Sequence, residues 1–283
     1  MSQKVVLLTG CSSGIGAAMA RAFHRRGLRV FATARRPESL APLAAEGIAT
    51  LALDVNDPAS IAAALAQVGE RAGRLDMLVN NAGRSQVGAL LDLERDALRE
   101  QFETNTIAPV DLARAALPLL RAAVAANGSA QLVNIGSIVG LFTTPFAGAY
   151  CASKAALHAL SDALRMELAP FGIRVVTVQP GGVQSAFGDN AEAHLSLPEG
   201  SPYQPLEVGI RDRAQAGQRG ATPTAAFVEP VVDKLLRDHP PAVIRGGRGS
   251  VVLVWMKRLL PRAWFDAVMA RKFGLAGFAP ARG

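Results

Sequence analysis

Cysteine is scarce in this sequence. Cys11 and Cys151 are the only two, far apart and without metal-ligand spacing, which excludes a disulfide framework and a zinc site. No stretch is apolar for the ~20 residues that a bilayer span needs. The N-terminal Met1-Ser2-Gln3-Lys4 runs into a short apolar stretch and then glycines, without the h-region or cleavage site of a secretory leader. Internal repeats and linkers are missing as well. Excess basic charge is absent from most of the chain. From Arg245 onward eight Lys or Arg face one acid, Asp266, so the net +7 lies wholly in the tail and the rest balances. That distribution argues against a spread-out nucleic-acid surface. A soluble protein of the cytoplasm, in a reducing compartment, is expected. At 283 residues, 50% of them hydrophobic and 19% charged, the chain can fill the core of one large α/β domain.

What is present is regular alternation. Lys4–Thr9, Leu28–Thr33, Gly47–Leu53, Leu75–Val79, Ala130–Gly136 and Ile173–Gln179 are short apolar runs readable as buried strands. Helical patterns follow at Ala17–Arg26, Pro58 to about Arg71, Asp92–Asn127, Ala149 to about Phe171 and Thr224–Arg237, and Pro241–Ile244 makes a short last strand. Strands and helices alternating in this way predict a doubly wound parallel sheet. From Val183 to about Thr222 the pattern lapses into Gly, Pro, Ser, Gln and scattered charge. A loop of that length in a compact domain is a functional lid or a mobile segment.

Chemistry-bearing residues fall at the carboxyl ends of the strands. Gly10-Cys-Ser-Ser-Gly14-Ile15-Gly16 links the first strand to the first helix, where glycines admit a pyrophosphate and a helix N-terminus supplies free N–H groups. Arg35 and Arg36 end the second strand, where an NAD-binding fold usually places an acid. A guanidinium there suits the 2′-phosphate of NADP, and a solvated pair of helix-start arginines would read the same. Asp54 ends the third strand as a ligand-edge acid or a helix cap, and Asn80-Asn81-Ala82-Gly83 ends the fourth. Asn105 falls inside a helical pattern, where a buried amide needs a partner. Pro109, four residues on, removes an N–H and can kink the helix there. Tyr150 and Lys154 stand four apart on one helical face, with Ser137 thirteen residues before the tyrosine. An ammonium beside a phenol lowers its pKa, and a hydroxyl nearby can donate to a substrate oxygen. The set suits proton transfer to a carbonyl or from an alcohol. Taken singly, each residue also reads as an ordinary surface, turn or cap position.

In this order and spacing the motifs Thr9-Gly10-x-x-x-Gly14-Ile15-Gly16, Asp54, Asn80-Asn81-Ala82-Gly83, Asn105, Ser137, Tyr150-x-x-x-Lys154 and Pro180-Gly181 resemble the short-chain dehydrogenase/reductase family over about residues 4–187. Pro145 to Leu157 with Phe171-Gly172 and Phe187 look most like its hydroxysteroid and retinol dehydrogenase branch. The resemblance implies a Rossmann-type sheet in residues 1–245, a substrate loop at about 183–222, and a basic amphipathic extension at 246–283. It implies hydride transfer between NADP(H) and a lipophilic secondary alcohol or ketone, steroid-, retinoid- or fatty-chain-like, in a dimer or tetramer. Tyr150 would be the acid/base, Lys154 would lower its pKa and hold the nicotinamide ribose, Ser137 would polarise the substrate oxygen, and Asn105 would hold a water leading to solvent. Gly10, Ser12, Ser13, Gly14, Ile15, Gly16, Arg35, Asp54, Val55, Asn81, Ala82, Gly83, Tyr150, Lys154, Pro180, Gly181 and Val183 would line the dinucleotide. Two departures stand out: Gly136 where many members have serine, and Ser185 where threonine is common.

Three further readings stay open at this point. Gly10-x-Ser12-x-Gly14 also matches the nucleophile elbow of α/β-hydrolases, for which His158 lies inside a helical pattern and His24 in the wrong neighbourhood, leaving His194 and His239. A nucleotide-binding regulatory or membrane-docking protein with idle machinery is the second. The third concerns Ser250–Leu275, where Trp255, Leu259, Leu260, Trp264, Phe265, Val268 and Met269 alternate with cations. Such a segment is a peripheral membrane contact, or else a cap over the substrate pocket or a subunit interface.

Overall fold

The computed structural model describes residues 3–279, so Arg282 of the basic tail lies outside the described residues. Seven parallel strands form one sheet. In chain order they are β1 (Val5–Leu8), β2 (Arg29–Ala34), β3 (Ala49–Ala52), β4 (Met77–Asn80), β6 (Ala130–Ile135), β7 (Ile173–Pro180) and β9 (Val243–Gly246), paired in the spatial order β3-β2-β1-β4-β6-β7-β9. The order reverses direction between β1 and β4, the switch point at which open α/β sheets bind ligands. A two-stranded parallel ladder, β5 (Val87–Gly88) with β8 (Leu195–Ser196), stands apart from it.

Because side chains alternate along a strand, each central strand feeds two cores. Val6 and Leu8 of β1 join Met19 and Phe23 of α1 (Gly14–Arg25) and Val228 and Val231 of α9 (Thr224–Leu235), with Leu43 of α2 (Ala41–Ala45). Val5 and Leu7 point the other way, to Ile61 and Leu65 of α3 (Pro58–Ala72) and Leu112 and Leu120 of α5 (Ala108–Asn127). Strands covered on both faces read as unbroken apolar runs, which is why the sequence marks them.

Two regions differ from expectation. The single helix expected over Asp92–Asn127 is divided into α4 (Arg95–Phe102), a wide turn at Glu103–Ile107, and α5. Pro109 has no N–H to return to the Asn105 carbonyl, and Ala108 N–H bonds back five residues to the Glu103 carbonyl instead. The long loop expected from Val183 to Thr222 contains α7 (Phe187–Ala193), β8 and α8 (Glu207–Gln215). Its helices join α10 (Val252–Leu259) and α11 (Arg262–Lys272) in a third core, with Ile210, Ala214, Phe265, Met269 and Phe273 buried against Phe142 and Phe146. That core depends on a segment some fifty residues farther along, so local periodicity gives little sign of it. Among the described residues no helix is long and apolar enough to cross a membrane.

Candidate active site

A cavity of about 1260 Å³ opens over the carboxyl ends of β1, β4, β6 and β7. One end of it is built by the turn after β1. Gly16 lies so close that a Cβ there would collide with the Gly10 carbonyl and stand 2.5 Å from Asn81 Nδ2. Asn81 fastens the turn to the end of β4, donating from Nδ2 to the Thr9 and Gly10 carbonyls at 2.9 and 3.0 Å. The Thr9 hydroxyl in turn accepts from the Asn81 and Ala82 amides, each at 3.0 Å. At the head of α1 the cap residue Ser13 makes no side-chain cap and the first turn holds no acid. The first amides of that helix are therefore available to an anionic ligand, and a dinucleotide's pyrophosphate fits this cradle.

Gly10, Ser12, Ser13, Gly14, Ile15, Gly16, Arg35, Asp54, Val55, Asn81, Ala82, Gly83, Pro180, Gly181 and Val183 all line this one cavity, together with Ser137, Tyr150 and Lys154. Arg35 is exposed at the end of β2. Asp54 is not the cap of α3. That role belongs to Asp57, which accepts from the Ala59 amide at 2.9 Å, while Asp54 Oδ1 accepts from Asn56 N–H at 3.0 Å. Ser185 crosses over Gly14, its Cβ 2.9 Å from where a Gly14 Cβ would stand. Asn105 is the exception, being 1% exposed and off the cavity wall. Its Oδ1 accepts from Arg84 N–H at 2.9 Å, and its Nδ2 donates to the Arg84 carbonyl at 2.9 Å and Ser153 Oγ at 3.1 Å. These bonds are the partners a buried amide requires, and they put Asn105 behind Gly83, beside Lys154.

Tyr150 and Lys154 project from the first turns of α6 (Gly148–Leu168). Lys154 is buried and donates from Nζ to the Ile135 carbonyl at 2.7 Å; burial lowers its pKa to about 8. Tyr150 is half-buried, its ring 5.6 Å from that of Phe187. The expected lowering of the phenol by Lys154 is not found. Burial pushes Tyr150 up to about 12, against a hydrogen bond from Ser137 and the charge of Arg213, which favour the phenolate. The ammonium is turned to Ile135, so Arg213 supplies the cationic influence. Ser137 Oγ also accepts from the Val139 amide at 3.4 Å.

Gly136 owes its lack of a side chain to His158. A Cβ at Gly136 would run into His158 Nε2, and one at Gly140 would stand 2.5 Å from the same ring. His158 accepts weakly from Ser137 N–H, at 3.4 Å, and burial lowers its pKa to about 4, so the imidazole is neutral. The reading of the sequence left out two groups. One is Asn134 and Ser161, which extend Asn80 into a buried ladder: Asn80 Nδ2 donates to Asn134 Oδ1 and Asn134 Nδ2 to Ser161 Oγ, each at 2.9 Å. The other comprises Arg213, Arg248, Lys272 and Phe273, cavity residues from three separate segments.

Fold and site define an α/β protein that binds a dinucleotide at the switch point of a parallel sheet. The family model described as short chain dehydrogenase matches residues 4–196. A short-chain dehydrogenase of Penicillium ochrochloron is 36% identical over 280 residues, covering 98% of this chain and all of that one. The crystal structure of a short-chain dehydrogenase from Streptomyces avermitilis is similar with a TM-score of 0.79 at 36% identity, over 95% of each chain. A carbonyl reductase from chicken fatty liver, solved with NADPH bound, has a TM-score of 0.62 at 34% identity, over 66% of this chain and 82% of that one. The chain belongs to the short-chain dehydrogenase/reductase family and is an NAD(P)-dependent oxidoreductase.

Proposed function

We propose that the protein reduces a lipophilic ketone of the steroid, retinoid or fatty-chain kind to a secondary alcohol with NADPH, and that Tyr150 donates the proton. The observation that carries this is the phenol held at about 12, next to the Ser137 hydroxyl on the wall of the cavity that the glycine turn opens. At neutral pH such a phenol keeps its proton and can give it to a carbonyl oxygen. The nicotinamide, once bound, supplies the hydride. The Ser137 hydroxyl, which bonds Tyr150, turns its hydrogen to the substrate oxygen when the ketone binds. Lys154 spends one N–H on Ile135 and keeps the others for ribose hydroxyls, while Asn105 fixes the turn behind it. Arg35, unpaired among the described residues and beside the cavity, suits a 2′-phosphate. The apolar walls, with Ile138, Phe142, Phe187, Leu253 and Met269, exclude water and favour an oily substrate.

The test is a screen of ketones followed by NADPH absorbance. Tyr150→Phe is expected to abolish turnover and leave NADPH affinity near that of the parent; full activity in the variant would remove the mechanism. Arg35→Asp is expected to shift preference from NADPH toward NADH, and an unchanged ratio would remove the basis for NADP. A reductase of this kind leaves no part for Ser12 as a hydrolase nucleophile. We propose further that the tail helices serve as a cap over the pocket, since Leu253, Met269 and Phe273 belong to its wall, and that their outer face rests on anionic lipid. Assembly into a dimer or tetramer belongs to the same proposal.

A further inference from the structure

The substrate end of the cavity carries positive charge that carbonyl reduction does not call for. Arg213 of α8, Arg248 after β9 and Lys272 at the end of α11 share its wall with Tyr150 and Ser137. None of the three has an ion pair among the described residues. Asp212, the neighbouring acid, is taken by Arg219, and Glu100 on the same wall by Arg84. Asp54, the remaining acid, belongs to the dinucleotide end after β3. Arg213 donates from Nε to the Thr144 hydroxyl at 2.7 Å, which leaves its two terminal nitrogens free. Its guanidinium lies 5.9 Å from the centre of the Phe273 ring, and Lys272 Nζ lies 5.5 Å from the same ring. Arg248 donates from Nη1 to the Arg219 carbonyl at 2.7 Å.

Two cations therefore flank one aromatic ring, with a third on the same wall and no carboxylate to balance them. The crowding is felt at Lys272, whose pKa is lowered first by burial and then by Arg213 and Arg248. Like charges held together are unfavourable until an anion joins them. The dinucleotide's phosphates are served elsewhere, by the glycine turn, the head of α1 and Arg35. Arg213 belongs to the Tyr150 side, bonded to Thr144 in the segment that follows Ser137.

We infer that the ketone carries an anionic group, a carboxylate or a phosphate ester, and that Arg213 and Lys272 hold it. This deepens the reductase reading and rests on it. The substrate is an amphiphile, with an apolar body against Phe142, Leu253 and Met269 and a charged tip against the two cations.

Binding tests this without knowledge of the true substrate. Decanoate, decyl phosphate and 1-decanol are titrated calorimetrically into protein saturated with NADPH. The anions are expected to bind at least about tenfold more tightly than the alcohol, with an advantage that shrinks as salt is added. Arg213→Gln and Lys272→Gln should each remove most of that advantage while NADPH and decanol affinities hold. The preferred anion identifies carboxylate or phosphate. Equal affinity for all three ligands, or an advantage that survives in the double variant, overturns the inference. The reductase reading is judged separately, on 2-decanone and on its anionic counterpart 9-oxodecanoate. Reduction of either by an enzyme without anion preference sinks the anionic tip alone. Tight anion binding by an enzyme that reduces no ketone sinks the reductase reading, and with it the anion's role as substrate.

Discussion

Lys154 lies in a niche where its ammonium reaches the Ile135 carbonyl, and burial brings its pKa from 10.5 to about 8. A group whose folded pKa is depressed in this way opposes folding while it is protonated. Below about pH 8 the folded state bears the full penalty, on the order of 3 kcal/mol at ~1.4 kcal/mol per unit. Between pH 8 and 10.5 the unfolded chain holds more protons than the folded one, so stability rises with pH across that window. Lys154→Met is therefore expected to raise the melting temperature at pH 7, and the gain should fade as pH approaches 10.5. Thermal melts of both proteins across that range check it. A lysine that destabilises the fold is tolerable where its charge serves the site. Tyr150, held at about 12, is the complementary case, a proton donor kept protonated and neutral through the neutral range. The four-residue spacing of the two was legible in the sequence, and their placement on one cavity wall with it. The direction of the phenol's shift was not, because it is set first by burial of the ring, to which elements distant in sequence contribute, and then by where Lys154 Nζ turns.

The strand–turn–helix unit from β1 to α1 is where an element, not a single side chain, sets function. Its turn is pinned on one side by Asn81 and closed on the other by the near contact of Gly16 with the Gly10 carbonyl. Gly16→Ala forces both partners to move, since the new Cβ meets a backbone oxygen and the Asn81 amide at once. The expected outcome is a dinucleotide affinity reduced by at least about tenfold, near 1.4 kcal/mol, in a protein that still folds. Fluorescence titration with NADPH and a melting curve separate the two effects. A Gly16→Ala protein with parental affinity would show that the turn has room to spare. The units of this kind were readable because the central strands are buried on both faces and each turn carries its own punctuation. The same rule explains what was not readable. The segment from Val183 to Thr222 buries Ile210 and Ala214 against Phe265, Met269 and Phe273, so its helices are fixed by distant partners and leave only a weak local pattern. Asn105 was singled out as a costly buried amide, yet the division of its helix at Glu103–Ile107 required Pro109 to be read as a break and not only as a kink.

On the scale of the whole molecule, the tail presents one face inward and another outward. Phe265 and Met269 are buried in the third core, whereas Trp255 is 52% exposed, Leu259 72% and Trp264 68%. Lys257, Arg258 and Arg262 stand among them, and the Arg258 guanidinium lies 5.7 Å from the Trp255 ring. Aromatic and aliphatic side chains exposed beside cations, on the part of the chain that holds all of its excess positive charge, match an anionic lipid interface better than a second copy of the same basic surface. The same two helices contribute Val252, Leu253, Met269 and Lys272 to the cavity lining, so on the proposed reading a docked molecule would draw an oily ketone from the lipid it touches. The full chain is expected to sediment with vesicles containing phosphatidylserine and not with pure phosphatidylcholine. Raising the salt should weaken the binding, as the screening length falls from about 10 Å at 0.1 M to about 3 Å at 1 M. Replacing Trp255 and Trp264 together by serine should weaken it about tenfold while NADPH binding persists, because neither tryptophan lines the cavity. Sedimentation with neither vesicle, or a dimer in which both tryptophans are shielded from quencher, would assign that face to another copy of the protein and leave the pocket to fill from solution.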